Sequence, residues 1–161
     1  MAKNISGTTR VCAVIGDPVE HSLSPRMHDA DLQALGLDYG YVAFNVHVVH
    51  IAVEGLVGFG LRGLSVTIPH KVSIMPYLDE ITPLARRIGA VNTVINENGR
   101  LIGTNTDGVG ALCALESVET VDGRTLAVLG VGGAARGVVF TLACERKPKR
   151  IYLLHRREDQ E

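Results

Sequence analysis

The feature that most constrains the fold is a glycine-rich tract that directly follows an apolar run. Residues 126–129 read Leu-Ala-Val-Leu, and residues 130–136 read Gly-Val-Gly-Gly-Ala-Ala-Arg. This order predicts a strand, a tight turn and a helix, which together bring backbone N–H groups and a helix N-terminus against a pyrophosphate. Gly130 permits the turn, Gly132 removes a side chain where phosphates approach, and Ala135 lets the helix pack on the strand. The alternative is a glycine turn that binds nothing.

A second strand is predicted at residues 150–154, after a helical stretch over residues 136–145. It ends in His155-Arg156-Arg157, near the position expected for the ribose of a dinucleotide. Two strands and one helix cannot close a doubly wound sheet. We therefore expect the chain to be a fragment, or its missing surface to be supplied by something else.

Composition excludes several classes of partner. The 161-residue chain has a formal net charge of −1, 4% aromatic residues and no tryptophan. It therefore lacks a basic stacking surface for nucleic acid and gives no reason to expect a membrane partner. Three cysteines, far apart in apolar stretches, predict reduced core residues of a cytoplasmic protein. The polar N-terminus predicts no signal peptide, and the scattered histidines predict no metal site.

Strand and helix patterns alternate along the rest of the chain, which predicts an α/β fold with parallel layers. We place a domain boundary near residues 105–107, giving domains 1–105 and 106–161. Ser24 is expected to cap the first helix, and a buried stripe is expected at Met27, Ala30, Ala34 and Leu35. The remaining predicted strands are 11–15, 41–46, 63–68, 90–95 and 101–103, and the predicted helices are 50–59, 81–88 and 106–117.

Polar clusters stand at the ends of these elements, where α/β proteins build their sites. Ser22 and Ser24 flank one leucine before a helix, so both hydroxyls could face an anion. Plain capping by Ser24 is the alternative, and it leaves Ser22 free. In the segment Ser65-Val66-Thr67-Ile68-Pro69-His70-Lys71, strand alternation places Ser65 and Thr67 on one face. Lys71 then follows the strand end, either as an acid or base or as an ordinary surface lysine.

Two further clusters contain an amide and a carboxylate. Asn92 follows small residues in a predicted apolar strand, and it would find partners in a polyhydroxylated ligand or in the neighbouring backbone. Asp107 begins a predicted helix, where it either has a structural role or pairs with Lys71. Sequence spacing alone leaves both choices open.

These clusters, in this order and together with the glycine tract, resemble the shikimate dehydrogenase family. The family motifs S-x-S-P, N-V-T-x-P-x-K, G-A-V-N-T, N-T-D-G and G-x-G-G-A correspond to residues 22–25, 65–71, 89–93, 105–108 and 130–134. The resemblance implies a substrate domain followed by a Rossmann-type domain, here incomplete. It also implies reduction of 3-dehydroshikimate to shikimate by NADPH in aromatic amino-acid biosynthesis. A homodimer is left open.

The resemblance also implies roles for individual residues. Ser22 and Ser24 would bind the substrate carboxylate, while Thr67, Asn92 and Asp107 would hold ring hydroxyls. Lys71 would give a proton to the developing alkoxide, oriented by Asp107. The cofactor would be held by Gly130, Gly132, Gly133, Ala134, Arg156 and Arg157.

Three departures from the family pattern matter. Ser65 replaces the usual asparagine, with little expected consequence. The usual N-R-T after the second Rossmann strand is His155-Arg156-Arg157 here. Arg156 could still pair a 2′-phosphate, whereas Glu158 could accept bonds from a free ribose hydroxyl, as in quinate/shikimate dehydrogenases that accept NAD. We favour NADP. Third, the family's remaining nucleotide domain does not follow Glu161, so the isolated chain is expected to bind shikimate with little or no turnover.

Overall fold

The structure, a computed structural model, describes residues 5–155. The chain divides into two compact units, one of Met1–Thr82 with Val91–Gly103 and one of Pro83–Ala90 with Thr104–Glu161. The chain therefore passes between the units three times. The single boundary predicted near residue 105 would assign residues 83–90 to the first unit instead.

The order of elements follows the predicted alternation, with additions. The elements are β1 Arg10–Gly16, α1 Ser24–Ala34, β2 Tyr39–Asn45, α2 Val49–Gly58, β3 Gly63–Val66, α3 His70–Ser73, β4 Glu80–Ile81, α4 Pro83–Ile88, β5 Thr93–Glu97, β6 Arg100–Thr104, α5 Asp107–Glu116, β7 Thr125–Leu129, α6 Gly133–Glu145 and β8 Arg150–Leu154. A 3₁₀ turn spans Met75–Tyr77. Among residues 5–155, no helix has the length and apolar character needed to cross a membrane.

The first unit is built on a six-stranded sheet of order β2-β1-β3-β5-β6-β4. Strand β1 pairs in parallel with β2 and β3, whereas β5 runs antiparallel to β3, so the sheet is mixed rather than uniformly parallel. Strands β5 and β6 are joined by a turn at Asn98-Gly99, where both residues have positive φ, of 55° and 97°. Such angles are those of a tight hairpin, for which an Asn-Gly pair is a strong sequence signal.

The local predictions for α1 are wrong in two respects. Leu23, not Ser24, occupies the N-cap position, and the helix has no side-chain cap. The predicted buried stripe is also absent, since Met27 is 55% and Leu35 71% exposed. The side of α1 that meets the sheet carries His28, which stacks on Tyr41 of β2 at 4.3 Å between ring centroids.

In the second unit, β7 and β8 pair in parallel and α5 packs against α6. Its core consists of Leu112, Val121 and Leu142, with Leu126, Val138 and Ile151 packed against them. Alternation along the strands turns Leu129, Tyr152 and Leu154 to the opposite face, where each is about half or more exposed. The prediction that the cysteines are core residues is wrong for Cys113 and Cys144, which are exposed.

Candidate functional site

Three of the predicted site residues, Thr67, Lys71 and Asn92, come together with Ser65 in the first unit. Ser65 lies in β3, Thr67 follows that strand, and Lys71 lies in α3. The N–H of Val66 donates to the carbonyl of Asn92 at 2.7 Å, and the N–H of Val91 donates to the carbonyl of Lys71 at 2.8 Å. These two bonds tie the start of β5 to the end of β3. Ser65, Thr67, Lys71 and Asn92 are all half-buried.

Asn92 precedes β5 instead of lying within a strand, which corrects the predicted strand over residues 90–95. Its side-chain oxygen accepts a hydrogen bond from the Thr93 hydroxyl at 2.9 Å. The position at the strand end leaves the amide beside the β3 residues rather than inside the apolar layer. The alternative was that Asn92 bonds to the neighbouring backbone, but the partner here is the side chain of Thr93.

The close approach of β1 to Thr67 depends on Gly16. The N–H of Thr67 donates to Ile15 at 2.9 Å, and the N–H of Asp17 donates to Ile68 at 2.9 Å. A Cβ atom at Gly16 would lie 2.5 Å from the Thr67 methyl group, so a larger residue would displace Thr67. The loop that leads from Asp17 to the two serines thus starts beside Thr67. The sequence alone did not predict this role of Gly16.

Ser22 and Ser24 stand at the start of α1, and both are half-buried. The Ser22 hydroxyl accepts a hydrogen bond from the backbone N–H of Ser24 at 3.2 Å. Ser22 therefore takes the local bonding role that the capping alternative gave to Ser24. Because it accepts this bond, the Ser22 hydroxyl retains its proton for donation to an anion.

Tyr41 of β2 bonds to Ser65 of β3 across the intervening strand β1, and the sequence did not predict it as a site residue. The phenol of Tyr41 donates to the Ser65 hydroxyl at 2.6 Å, and Tyr41 is 7% exposed. Burial raises the pKa of Tyr41, so the phenol stays protonated and keeps donating. Ser65 is consequently held as an acceptor toward Tyr41 and can donate its own proton elsewhere.

His70 fixes the start of α3 immediately before Lys71. Its side chain is 4% exposed, and its Nε2 lies 2.6 Å from the carbonyl of Val46, to which a protonated Nε2 donates. This bond joins α3 to the chain that follows β2. Among residues 5–155, no three histidine, cysteine or acidic side chains lie together as a metal site.

In the second unit, the glycine tract forms an open loop between β7 and α6. Gly130 has a φ of 108°, and its N–H donates to the carbonyl of Leu154 at 2.7 Å. Gly132 is the N-cap of α6, and a Cβ atom at either glycine would meet nothing within 4 Å. Gly133 and Ala134 form the first turn of the helix. Within residues 5–155 there is thus room for an anion at the N-terminus of α6, and the binding of a pyrophosphate there stays a prediction.

A cavity of about 660 Å³ extends from this loop along α6. It is lined by Gly130, Ala135, Arg136 and His155 among others, so Ala135 faces the cavity. A close approach of α6 to the segment before α5 falls instead at Gly137, where a Cβ atom would lie 3.0 Å from the Asn105 side-chain oxygen. The predicted cofactor residues Arg156 and Arg157, and Glu158, lie outside the described residues.

Asp107 is the first residue of α5, in the first helical turn as predicted. Its N–H donates to the Asn105 side-chain oxygen at 3.1 Å, and the Asn105 amide donates to the carbonyl of Ala90 at 3.0 Å. Asn105 is 2% exposed. Lys71 belongs to the first unit and Asp107 to the second, so their pairing stays a prediction.

The chain matches one family model, described as the shikimate dehydrogenase substrate binding domain, over residues 14–94. A shikimate dehydrogenase (NADP(+)) of Bacillus cereus is 54% identical over 134 residues, which are 81% of this chain and 48% of the relative.

Two solved structures are similar along almost the whole chain. The shikimate dehydrogenase of Aquifex aeolicus has a TM-score of 0.91 and 39% identity, covering 98% of this chain and 59% of that one. The shikimate 5-dehydrogenase of Thermus thermophilus, in complex with NADP(H) and shikimate, has a TM-score of 0.86 and 38% identity, covering 94% and 57%. The chain thus spans about half the length of the relatives it matches.

Proposed function

Because this chain belongs to the shikimate dehydrogenase family, we propose that it reduces 3-dehydroshikimate to shikimate with NADPH. In this proposal the first unit binds the substrate, and the second unit is the start of the nucleotide-binding domain. The observation that carries the proposal is the half-buried cluster of Ser65, Thr67, Lys71 and Asn92. This cluster lies inside the segment that the substrate-binding family model matches. The names of the relatives support both the substrate and the cofactor.

Substrate binding is assigned to the hydroxyl and amide groups. Ser22 and Ser24 donate to the carboxylate at the start of α1, where the helix dipole also favours an anion. Thr67 and Asn92 bind ring hydroxyls, together with Asp107. We add Ser65 to these groups, because the bond from Tyr41 leaves the Ser65 proton available to a substrate oxygen.

Lys71 acts as the proton donor. Reduction of a ketone places negative charge on its oxygen, and a nearby ammonium both stabilises that charge and neutralises it. The buried His70 and the bond from Val91 to the Lys71 carbonyl hold the backbone of this lysine at the end of β3. Asp107 orients Lys71 in this proposal.

The nucleotide is assigned to Gly130, Gly132, Gly133, Ala134, Arg156 and Arg157. The loop and the N-terminus of α6 fit a pyrophosphate, because within residues 5–155 a Cβ atom at Gly130 or Gly132 would meet nothing within 4 Å. Bound NADPH supplies the hydride. A cytoplasmic location and a homodimer belong to the same proposal.

Two alternatives follow from specific observations. In the first alternative, the 161 residues by themselves bind shikimate with little turnover. This alternative follows from the comparison of lengths, since the match covers about half of the relatives. The sequence His155-Arg156-Arg157-Glu158 leaves a quinate/shikimate dehydrogenase that accepts NAD as the second candidate. Rates with NADPH and NADH, on 3-dehydroshikimate and on quinate, distinguish this candidate from the first.

The proposal is tested by titrating shikimate into the 161-residue chain in a calorimeter. Ser22→Ala should raise the dissociation constant about 10- to 150-fold, because a hydrogen bond to a charged group contributes about 1.5–3 kcal/mol. Lys149→Ala, at an exposed lysine before β8, is the matched control and should change nothing. In a form that turns over, Lys71→Ala should lower the rate of reduction far more than it weakens binding. Equal shikimate binding by wild type and Ser22→Ala would refute the carboxylate assignment, and an unchanged rate for Lys71→Ala would refute the acid.

A further inference from the structure

Tyr41 contacts three parts of the first unit that carry substrate-binding residues in the proposed function. Its ring stacks on His28 of α1, at 4.3 Å between ring centroids. The ring also belongs to a buried cluster with Val19, whose carbonyl accepts a hydrogen bond from the N–H of Ser22 at 2.9 Å. Its phenol donates to the Ser65 hydroxyl of β3. One side chain therefore contacts α1, the loop before it and β3.

The bond from Tyr41 limits the rotation of the Ser65 hydroxyl. A serine hydroxyl turns about its Cβ–O bond, so its single proton can point in several directions. The asparagine that is usual in the family at this position has N–H donors in a fixed plane instead. The Tyr41 phenol is 7% exposed, and its oxygen lies 2.6 Å from the Ser65 oxygen. Because the phenol proton occupies that direction, the Ser65 proton must point elsewhere.

We propose that Tyr41 is a positioning residue of the substrate site, and that its phenol holds the Ser65 hydroxyl as a proton donor to a substrate oxygen. The inference rests on the proposed function and deepens it, because substrate binding then depends on a buried group that acts only through Ser65. Ser65 held in this way recognises an oxygen that can accept, such as that of a ketone, a carboxylate or a hydroxyl group. Tyr41 itself transfers no proton to the substrate.

Tyr41→Phe separates the phenol from the rest of the side chain. The ring that remains can still stack on His28, and the backbone N–H of residue 41 can still donate to the Asp29 side chain, as it does at 3.1 Å in the wild type. The Ser65 hydroxyl, however, loses its fixed donor and becomes free to turn. We expect the dissociation constant for shikimate to rise about 2- to 13-fold, the contribution of one neutral hydrogen bond.

The test is a double-mutant cycle on the 161-residue chain, with shikimate titrated in a calorimeter. Its four members are the wild type, Tyr41→Phe, Ser65→Ala and the double variant. Ser65→Ala should weaken binding at least as much as Tyr41→Phe. The double variant should bind like Ser65→Ala, within about 2-fold, because the phenol acts only through the hydroxyl. A tyrosine that merely supports the fold would instead give two effects that multiply. Urea denaturation identifies variants whose affinity falls because they unfold.

Tyr39→Phe is the matched control, since it makes the same change at the other end of β2. Tyr39 is half-buried, and its hydroxyl accepts a hydrogen bond from Arg10 at 3.4 Å. The affinity for shikimate should not change in this variant. A loss as large as that in Tyr41→Phe would overturn the inference, because the effect would then not depend on the contact with Ser65.

Two further results would overturn the inference and leave the proposed function standing. They are equal affinity of wild type and Tyr41→Phe, and effects of Tyr41→Phe and Ser65→Ala that multiply, in each case while Ser22→Ala still weakens binding. A wild type that does not bind shikimate would refute the proposed function and this inference together.

Discussion

The approach of α5 to α6 gives the sharpest prediction on stability. A Cβ atom at Gly108 would lie 2.0 Å from the Thr141 hydroxyl oxygen and 2.4 Å from the Gly137 carbonyl oxygen. The carbonyl belongs to the α6 backbone and cannot rotate away. We therefore expect Gly108→Ala to force the two helices apart and to displace the start of α5, where Asp107 lies.

The magnitude follows from two opposing effects. An ordinary contact begins at 3.4 Å, so the carbonyl must move by 3.4 − 2.4 = 1.0 Å. Overpacking of this kind costs about 1–3 kcal/mol and occasionally more. Alanine is favoured over glycine inside a helix by about 1 kcal/mol, which offsets part of the cost. A backbone carbonyl that must move by this much places the cost at the upper end of the range, about 3 kcal/mol, so the net loss is about 2 kcal/mol, or about 4–8 °C in Tm for a chain of this size.

Gly110→Ala is the matched control in the same helix, because a Cβ atom there would meet nothing within 4 Å. It should gain about 0.5–1 kcal/mol from helix propensity. Urea denaturation followed by circular dichroism measures both variants beside the wild type. The steric reasoning is refuted if Gly108→Ala is as stable as Gly110→Ala.

Three further perturbations test other contacts. Among the described residues, the buried hydroxyl of Thr141 has no hydrogen-bond partner, so Thr141→Val should stabilise the chain by about 1 kcal/mol in urea denaturation. Arg146 lowers the pKa of Glu116 by hydrogen bonding, so the pair stabilises the fold above the ordinary pKa of 4.5. That stability is lost as pH falls through the lower folded pKa, and the gap between wild type and Glu116→Gln should close from pH 7 to pH 3. His70→Phe leaves the Val46 carbonyl unbonded and should cost about 1–3 kcal/mol, measured by thermal unfolding.

Each of these has a contradicting result. If the Thr141→Val variant is less stable than wild type, the Thr141 hydroxyl must have a hydrogen-bond partner. If the difference in stability between wild type and Glu116→Gln stays constant with pH, Arg146 does not act through the charge of Glu116. Wild-type stability of His70→Phe would show that the bond to Val46 contributes nothing.

The types of the main elements could be predicted because apolar periodicity and glycine turns are local signals. Strand β4, of two residues, and helix α3, of four, were missed because neither is long enough to show a period. The face of α1 was predicted wrongly for a different reason. Periodicity located an apolar stripe at Met27 and Leu35, but the sheet meets the side carrying His28 instead.

In the candidate site, too, the residues in local motifs could be predicted, whereas those defined by tertiary contacts could not. Ser65, Thr67, Lys71 and Asn92 could be found because each stands in a short motif at an element end. Tyr41 could not be found, because its contact with Ser65 depends on β2 and β3 flanking β1 in one register. Gly16 was missed likewise, since its need for a small residue arises only when β1 meets Thr67.

The three passages of the chain between its units limit how the protein can be divided. Helix α4 packs against α6 of the second unit, and Ala85 and Ile88 within it are buried. A polypeptide ending at residue 105 would keep α4 but lose α6, against which α4 packs. No single protease cleavage can release either half intact. Expressing one half by itself would require excising α4 from one piece and grafting it onto the other.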